Sequence, residues 1–317
     1  MFAEKIQTGV SGTLLYGITP PKAKTPEVQL EIIADKRSNR INQLQCDALV
    51  IYDIQDESQR TLAQRPFDFF PTLDPLMYAN TYHNALACQK IIYHVVGKYT
   101  ATEFQQRLID CTKHHYLSVL VGAASKNQAT RINLDKAYAI WQELPDRMGI
   151  GGVVIPERHK QKQDEHLRII AKQGKGCDFF ISQCICNLEM VKNFISDYCG
   201  AVEDQGLSKK YFVFTLTICG SVETLELMHW LGIDIPQWLK NDLSRSKDII
   251  EASIQQNLRI AQELTEYCAY KQLNCGFNIE SVSPKKSEVD ATVVLYNELH
   301  KQLTAGLPPL RGIHHGS

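Results

Sequence analysis

No stretch of about 18 or more apolar residues occurs in this chain, so the sequence offers no transmembrane helix. Its opening residues, Met1-Phe2-Ala3-Glu4-Lys5, carry no apolar core of signal-peptide length. An excess of either charge is also missing. The 34 Lys and Arg stand against 35 Asp and Glu, for a formal net charge of -1, which makes nucleic acid a poor partner. Paired Cys-x-x-Cys units are absent although there are ten cysteines, so the zinc signature built on them is excluded. The chain also lacks a P-loop, a His-Glu-x-x-His motif, a Ser-His-Asp order and a Gly-x-Gly-x-x-Gly after the first strand. These absences predict a cytoplasmic protein without membrane or nucleic-acid partners, whose cysteines are reduced thiols. The cluster Cys177, Cys184, Cys186 and Cys199 then reads as buried small apolar side chains.

What is present is an alternation. The 317 residues are 44% hydrophobic and 22% charged, an ordinary globular composition. Apolar runs end abruptly in polar residues and turn formers, as buried parallel strands do when they deliver functional groups at their carboxyl ends. Such runs lie at Gly12–Gly17, Ala48–Tyr52, Ile91–Val96, Tyr116–Val121, Ile150–Ile155, Asp178–Ser182, Tyr211–Leu216 and Gly276–Ile279. Helical patterns separate them, including Leu134–Leu144, Asp164–Gln173, Leu188–Tyr198, Val222–Leu231, a long Ser246–Leu273 and a terminal Ser287–Leu303. Thr100 three residues before Glu103 forms a helix-capping pattern. Eight strands alternating with helices predict a single-domain (β/α)8 TIM barrel over 1–305, with an extra C-terminal helix and a flexible tail over 306–317. An open doubly wound sheet is the alternative.

The strand ends resemble the methylenetetrahydrofolate reductase family of flavin-dependent barrels. The resemblance rests on Tyr16-Gly17-Ile18-Thr19-Pro20-Pro21, on Ile51-Tyr52 followed by an acidic loop, on His94, on Val121-Gly122-Ala123, and on Pro156-Glu157-Arg158-His159. It continues through Glu165, Arg168 and Lys172, Phe180-Ile181-Ser182-Gln183, and Ile235-Pro236-Gln237-Trp238. It implies FAD held by Tyr52, His94, Gly122, His159, Glu165, Arg168 and Lys172. Lys172 and Arg168, four residues apart on one helical face, would meet the diphosphate. It further implies NAD(P)H as electron donor, a folate-like substrate and a place in one-carbon metabolism. Gln183 would read the nicotinamide or pterin, since an amide both donates and accepts.

The departures matter as much. The family's proton-donating glutamate falls on Gly17, its pterin-holding aspartate on Ala123, and its arginine on Val121. A replacement acid is expected from Asp53, Asp56 or Glu57, since neighbouring carboxylates raise one another's pKa. Glu157 is a further candidate at the rim. Two readings on the same barrel remain beside the reductase: a folate-binding one-carbon (methyl) transferase, and a catalytically silent partner subunit or homo-oligomer.

Overall fold

The computed structural model describes residues 1–56, 63–123 and 129–305. The eight apolar runs form eight parallel strands: β1 Thr13–Ile18, β2 Ala48–Ile51, β3 Gln89–Val95, β4 Leu117–Val121, β5 Ile150–Val154, β6 Cys177–Cys184, β7 Tyr211–Thr217 and β8 Cys275–Glu280. They pair in sequence order and close on themselves, β1 lying beside both β2 and β8. The open doubly wound sheet is thereby overturned, and the (β/α)8 barrel stands. Strands covered on both faces must be apolar on both; in β1, β3 and β7 every residue is buried.

Closure depends on one close approach. Thr13 pairs with Gly276 across the β1–β8 seam. A Cβ on Gly276 would lie 2.0 Å from Thr13 Oγ1 and 2.6 Å from the Thr13 carbonyl oxygen. Only a residue without a side chain lets these two backbones meet.

The amino-terminal end of the barrel is sealed by a helix, Phe2–Thr8, that the sequence reading left unassigned. Phe2 is fully buried and meets Phe179 and Tyr211 edge-on, at ring separations of 5.5 and 6.0 Å. A sealed base leaves the carboxyl-terminal end as the one where barrel loops build a site.

Most outer helices fall where the apolar periodicity predicts. Thr100 and Glu103 form the expected capping box, with Glu103 N donating to Thr100 Oγ1 at 3.3 Å and Thr100 N donating to Glu103 Oε2 at 2.7 Å. The long helix is shorter than predicted, Ile249–Tyr270, because Asp248 caps its start. A separate helix, Gln237–Arg245, precedes it. The segment after β5 is helical over Pro156–Lys162, and Gln163 turns the chain at φ 49° into the helix Glu165–Gly174. The terminal helix spans Lys286–Thr304, and the tail over 306–317 lies outside the described residues. Among the described residues no helix is long and apolar enough to cross a membrane. All ten cysteines are free thiols, eight of them buried and Cys88 and Cys186 half-buried.

Candidate functional site

Side chains alternate along a strand. On β8 the residues of one parity are Gly276, Asn278 and Glu280, which places Glu280 at the carboxyl end beside the end of β1. Asn278 of the same strand and three side chains from elsewhere in the barrel gather around it. Cys184 Sγ donates to Glu280 Oε1 at 2.9 Å. The Tyr52 hydroxyl hydrogen-bonds the same carboxyl group. Asn278 Nδ2 donates to the Tyr52 hydroxyl at 2.7 Å, and the rings of Tyr52 and Tyr93 meet at 4.8 Å. The Asn278 Oδ1 atom is buried with no hydrogen-bond partner. An orphaned acceptor of this kind beside a carboxylic acid invites a ligand donor.

The electrostatics follow from burial. Desolvation raises the pKa of Glu280 above the usual carboxylate range, and the hydrogen bonds from Cys184 and Tyr52 only partly oppose it. Burial, then the Glu280 charge, pushes Tyr52 well above its usual value, and the same two causes act on Cys184. The mouth therefore favours an uncharged, proton-bearing state of all three groups.

Gly17 explains the geometry. A Cβ there would lie 2.9 Å from the Tyr52 ring and 3.1 Å from Glu280 Cβ. An acid from the neighbouring strand, with a tyrosine, thus fills the space that a side chain at Gly17 would take. The sequence reading sought the replacement acid after β2 and missed Glu280. One signal could have found it: Gly276, Asn278 and Glu280 share one strand parity.

The predicted acids lie elsewhere. Asp53 is 8% exposed and its oxygens are occupied: Oδ2 accepts from Val95 N at 2.8 Å and from the Tyr99 hydroxyl at 3.2 Å, and Lys98 pairs with Oδ1. It latches the ends of β2 and β3 together. Asp56 is an exposed loop residue, and Glu57 lies outside the described residues.

Gln183 is displaced by a bulge. The register of β6 on β7 runs Ile181 to Val213 and then Cys184 to Thr215, so β6 carries one extra residue. Cys184 takes the inward turn, while the half-buried Gln183 donates from Nε2 to the Leu231 carbonyl at 2.9 Å. Gln183 stands at the predicted end of β6, but Cys184 is the β6 residue that touches the acid.

The residues that the resemblance gives to FAD are spread over several places. Tyr52 is in the mouth. Gly122 offers its carbonyl to Gln55 Nε2 at 3.4 Å. His94 is fully buried beneath the helix Ala101–Lys113, with Ser118 Oγ at 3.1 Å and the Phe104 ring at 5.9 Å. Its neighbour Tyr93 takes the inward position instead. Glu165 is buried against β5, accepting from Ile155 N at 3.0 Å and pairing with Arg168 Nε at 3.2 Å. Lys172 gives its ammonium to the Val153 carbonyl, and burial pushes its pKa down to about 8. His159 bonds Asp197. Glu165, Arg168 and Lys172 are neighbours beside β5, where Arg168 and Lys172 already have protein partners.

A second acid stands at the rim. Glu157 Oε2 is buried with no partner, and burial, with smaller contributions from Asp234 and Glu165, raises its pKa from 4.5 to about 7. A carboxyl that holds its proton more tightly when folded stabilises the protein fully below pH 4.5, and that contribution is lost as pH rises through 7. Glu157→Gln carries the neutral form at every pH. We expect it to match the wild-type chain near pH 4.5 and to exceed it at pH 8 by up to about 3 kcal/mol, as read from urea midpoints at the two pH values.

A cleft of about 530 Å³ opens between Cys186, Asn187, Lys192, Trp238, Arg259 and Glu263. Its volume is in the range of small-molecule sites. Trp238 is 53% exposed there, and Lys192 pairs with Glu263 at 2.9 Å.

No protein-family model and no curated protein matches the chain. Solved structures do. A 2,3-dimethylmalate lyase of the PEP mutase/isocitrate lyase superfamily is 11% identical, with 99% of this chain and 88% of that one covered and a TM-score of 0.47. A 7,8-dihydropteroate synthase from Vibrio fischeri ES114 is 9% identical, with 94% and 95% covered and a TM-score of 0.47. At that distance the likeness says nothing of chemistry. A protein from Clostridium thermocellum, uncharacterized and described as binding two copies of 5-methyl-5,6,7,8-tetrahydrofolic acid, is much nearer: 41% identical, 95% of this chain and 99% of that one covered, TM-score 0.81. With that identity over nearly the whole of both chains, this chain belongs to the same family as the Clostridium thermocellum protein.

Proposed function

We propose that this barrel binds a reduced folate at its mouth and serves one-carbon transfer, with Glu280 as the acid. The observation that carries the reading is the Glu280–Tyr52–Asn278–Cys184 cluster at the carboxyl ends of the strands. Support comes from the family relative, which binds 5-methyltetrahydrofolate. A pterin edge presents adjacent N–H donors and a ring carbonyl; a carboxyl group and an amide can pair with such an edge. The orphaned Asn278 Oδ1 takes one of those donors. A methyl group on N5 passes to a nucleophilic acceptor only as N5 gains a proton. A buried carboxyl held toward its protonated form is suited to give that proton.

Flavin-dependent reduction by NAD(P)H, implied by the resemblance to methylenetetrahydrofolate reductases, stands second. The residues that would hold FAD lie at several places on the barrel, and Arg168 and Lys172 among them already have protein partners. The relative holds two folate molecules, and we assign the second to the cleft where Trp238 offers a ring face.

Calorimetric titration of the purified chain with 5-methyltetrahydrofolate tests the assignment. The expected result is two equivalents bound, falling to one for Trp238→Ala. Absence of binding at millimolar ligand overturns it. A yellow preparation that NADH or NADPH bleaches anaerobically restores the reductase in its place.

A further inference from the structure

On the outer wall of the barrel, away from the acid at the mouth, three helices bring two imidazoles and a carboxylate together. His159 comes from Pro156–Lys162, His166 from Glu165–Gly174 and Asp197 from Leu188–Asp204. The left-handed turn at Gln163, φ 49°, folds the first two helices so that the histidine rings meet at 5.3 Å and 81°. His159 is 4% exposed, with Nε2 2.9 Å from Asp197 Oδ2. Its Nδ1 is buried without a partner, and so is Nδ1 of His166. The unpaired Nδ1 of His166 is costly while buried, and the cost disappears if an ion takes its lone pair; on His159 the nitrogen that faces Asp197 is Nε2, the atom such an ion would take. One donor atom from each of the three residues lies within 4.8 Å of the other two.

We infer that His159, His166 and Asp197 form a divalent transition-metal site, best matched to Zn²⁺. Two imidazoles and one carboxylate are a ligand set that this ion takes readily, with a fourth position left to water. Bonds of about 2.0–2.2 Å would draw the donor atoms to roughly 3.4 Å apart, a small movement for the exposed Asp197 side chain. The bound ion ties the segment after β5 to the helix Leu188–Asp204, and so fixes the rim that carries Glu157. His159, which the resemblance would give to a flavin, is used here as a ligand.

The test uses the full chain, stripped with a chelator and titrated with Zn²⁺ and with Co²⁺. The expected result is one tight equivalent, with Co²⁺ giving visible bands of nitrogen and oxygen ligation. His166→Ala should weaken binding at least tenfold, and Asp197→Asn, an exposed substitution that spares the fold, should weaken it as well. An unchanged affinity both in Asp197→Asn and in a folded His166→Ala overturns the site. So does a near-ultraviolet thiolate band, which would assign the ion to cysteines, or no binding at all in the wild-type chain.

Discussion

Glu280→Gln is expected to lower affinity for 5-methyltetrahydrofolate about 100-fold, equivalent to about 2.7 kcal/mol, while leaving the barrel folded. The amide keeps the shape of the carboxyl and can still accept from Cys184 and Tyr52. One acceptor oxygen becomes an NH2 donor that opposes a ligand's N–H groups, and the proton that a departing amine would take is lost. Stability should move the other way. Burial makes Glu280 hold its proton more tightly in the fold than in the open chain. Its contribution to stability is therefore complete below the ordinary carboxylate pKa of 4.5 and is lost as pH rises through the raised value. The variant should match the wild type in acid and surpass it in alkali. Paired measurements of affinity and urea midpoint at pH 5 and pH 8 would show both trends. Equal affinities in the two proteins would remove Glu280 from the site, whatever the stabilities.

Gly276→Ala is expected to prevent the barrel from closing. The added methyl would fall 2.0 Å from Thr13 Oγ1 and 2.6 Å from the Thr13 carbonyl. The hydroxyl can rotate away, but the carbonyl is part of the paired backbone and cannot. Overpacking in ordinary cores costs about 1–3 kcal/mol. Here the clash is with main chain at the seam, so a loss above about 3 kcal/mol is expected. Circular dichroism and thermal melting would report it as an insoluble or partly folded product. A variant with a wild-type melting temperature would mean that the seam is looser than the Thr13–Gly276 register implies.

The barrel was legible because burial on both faces leaves a direct trace in composition. Runs such as Ile91-Ile92-Tyr93 and Tyr211-Phe212-Val213 have no reason to be apolar throughout unless helices cover them. Helix Gln237–Arg245 was hidden because its apolar residues Leu239 and Leu243 are few and its cap is a proline. The N-terminal helix is too short to show a period. The site was only partly legible. His94 was placed by resemblance, yet strand parity gives the inward position to Tyr93. Gln183 would have followed Ile181 inward had β6 kept its alternation, and nothing in Ser182-Gln183-Cys184 announces an extra residue. Glu280 was passed over because the last run was ended at Ile279, one residue short.

The seam between the first strand and the last also shapes how the protein comes into being. Thr13 waits for Gly276, so during synthesis the ring stays open until β8 has left the ribosome. Through that interval β1 presents an unpaired edge, which is an invitation to misassembly. The seam is a long-range contact that forms slowly. Slow translation, or shelter by a chaperone, should therefore raise the soluble yield more for this chain than for a protein of equal size built from neighbouring hairpins.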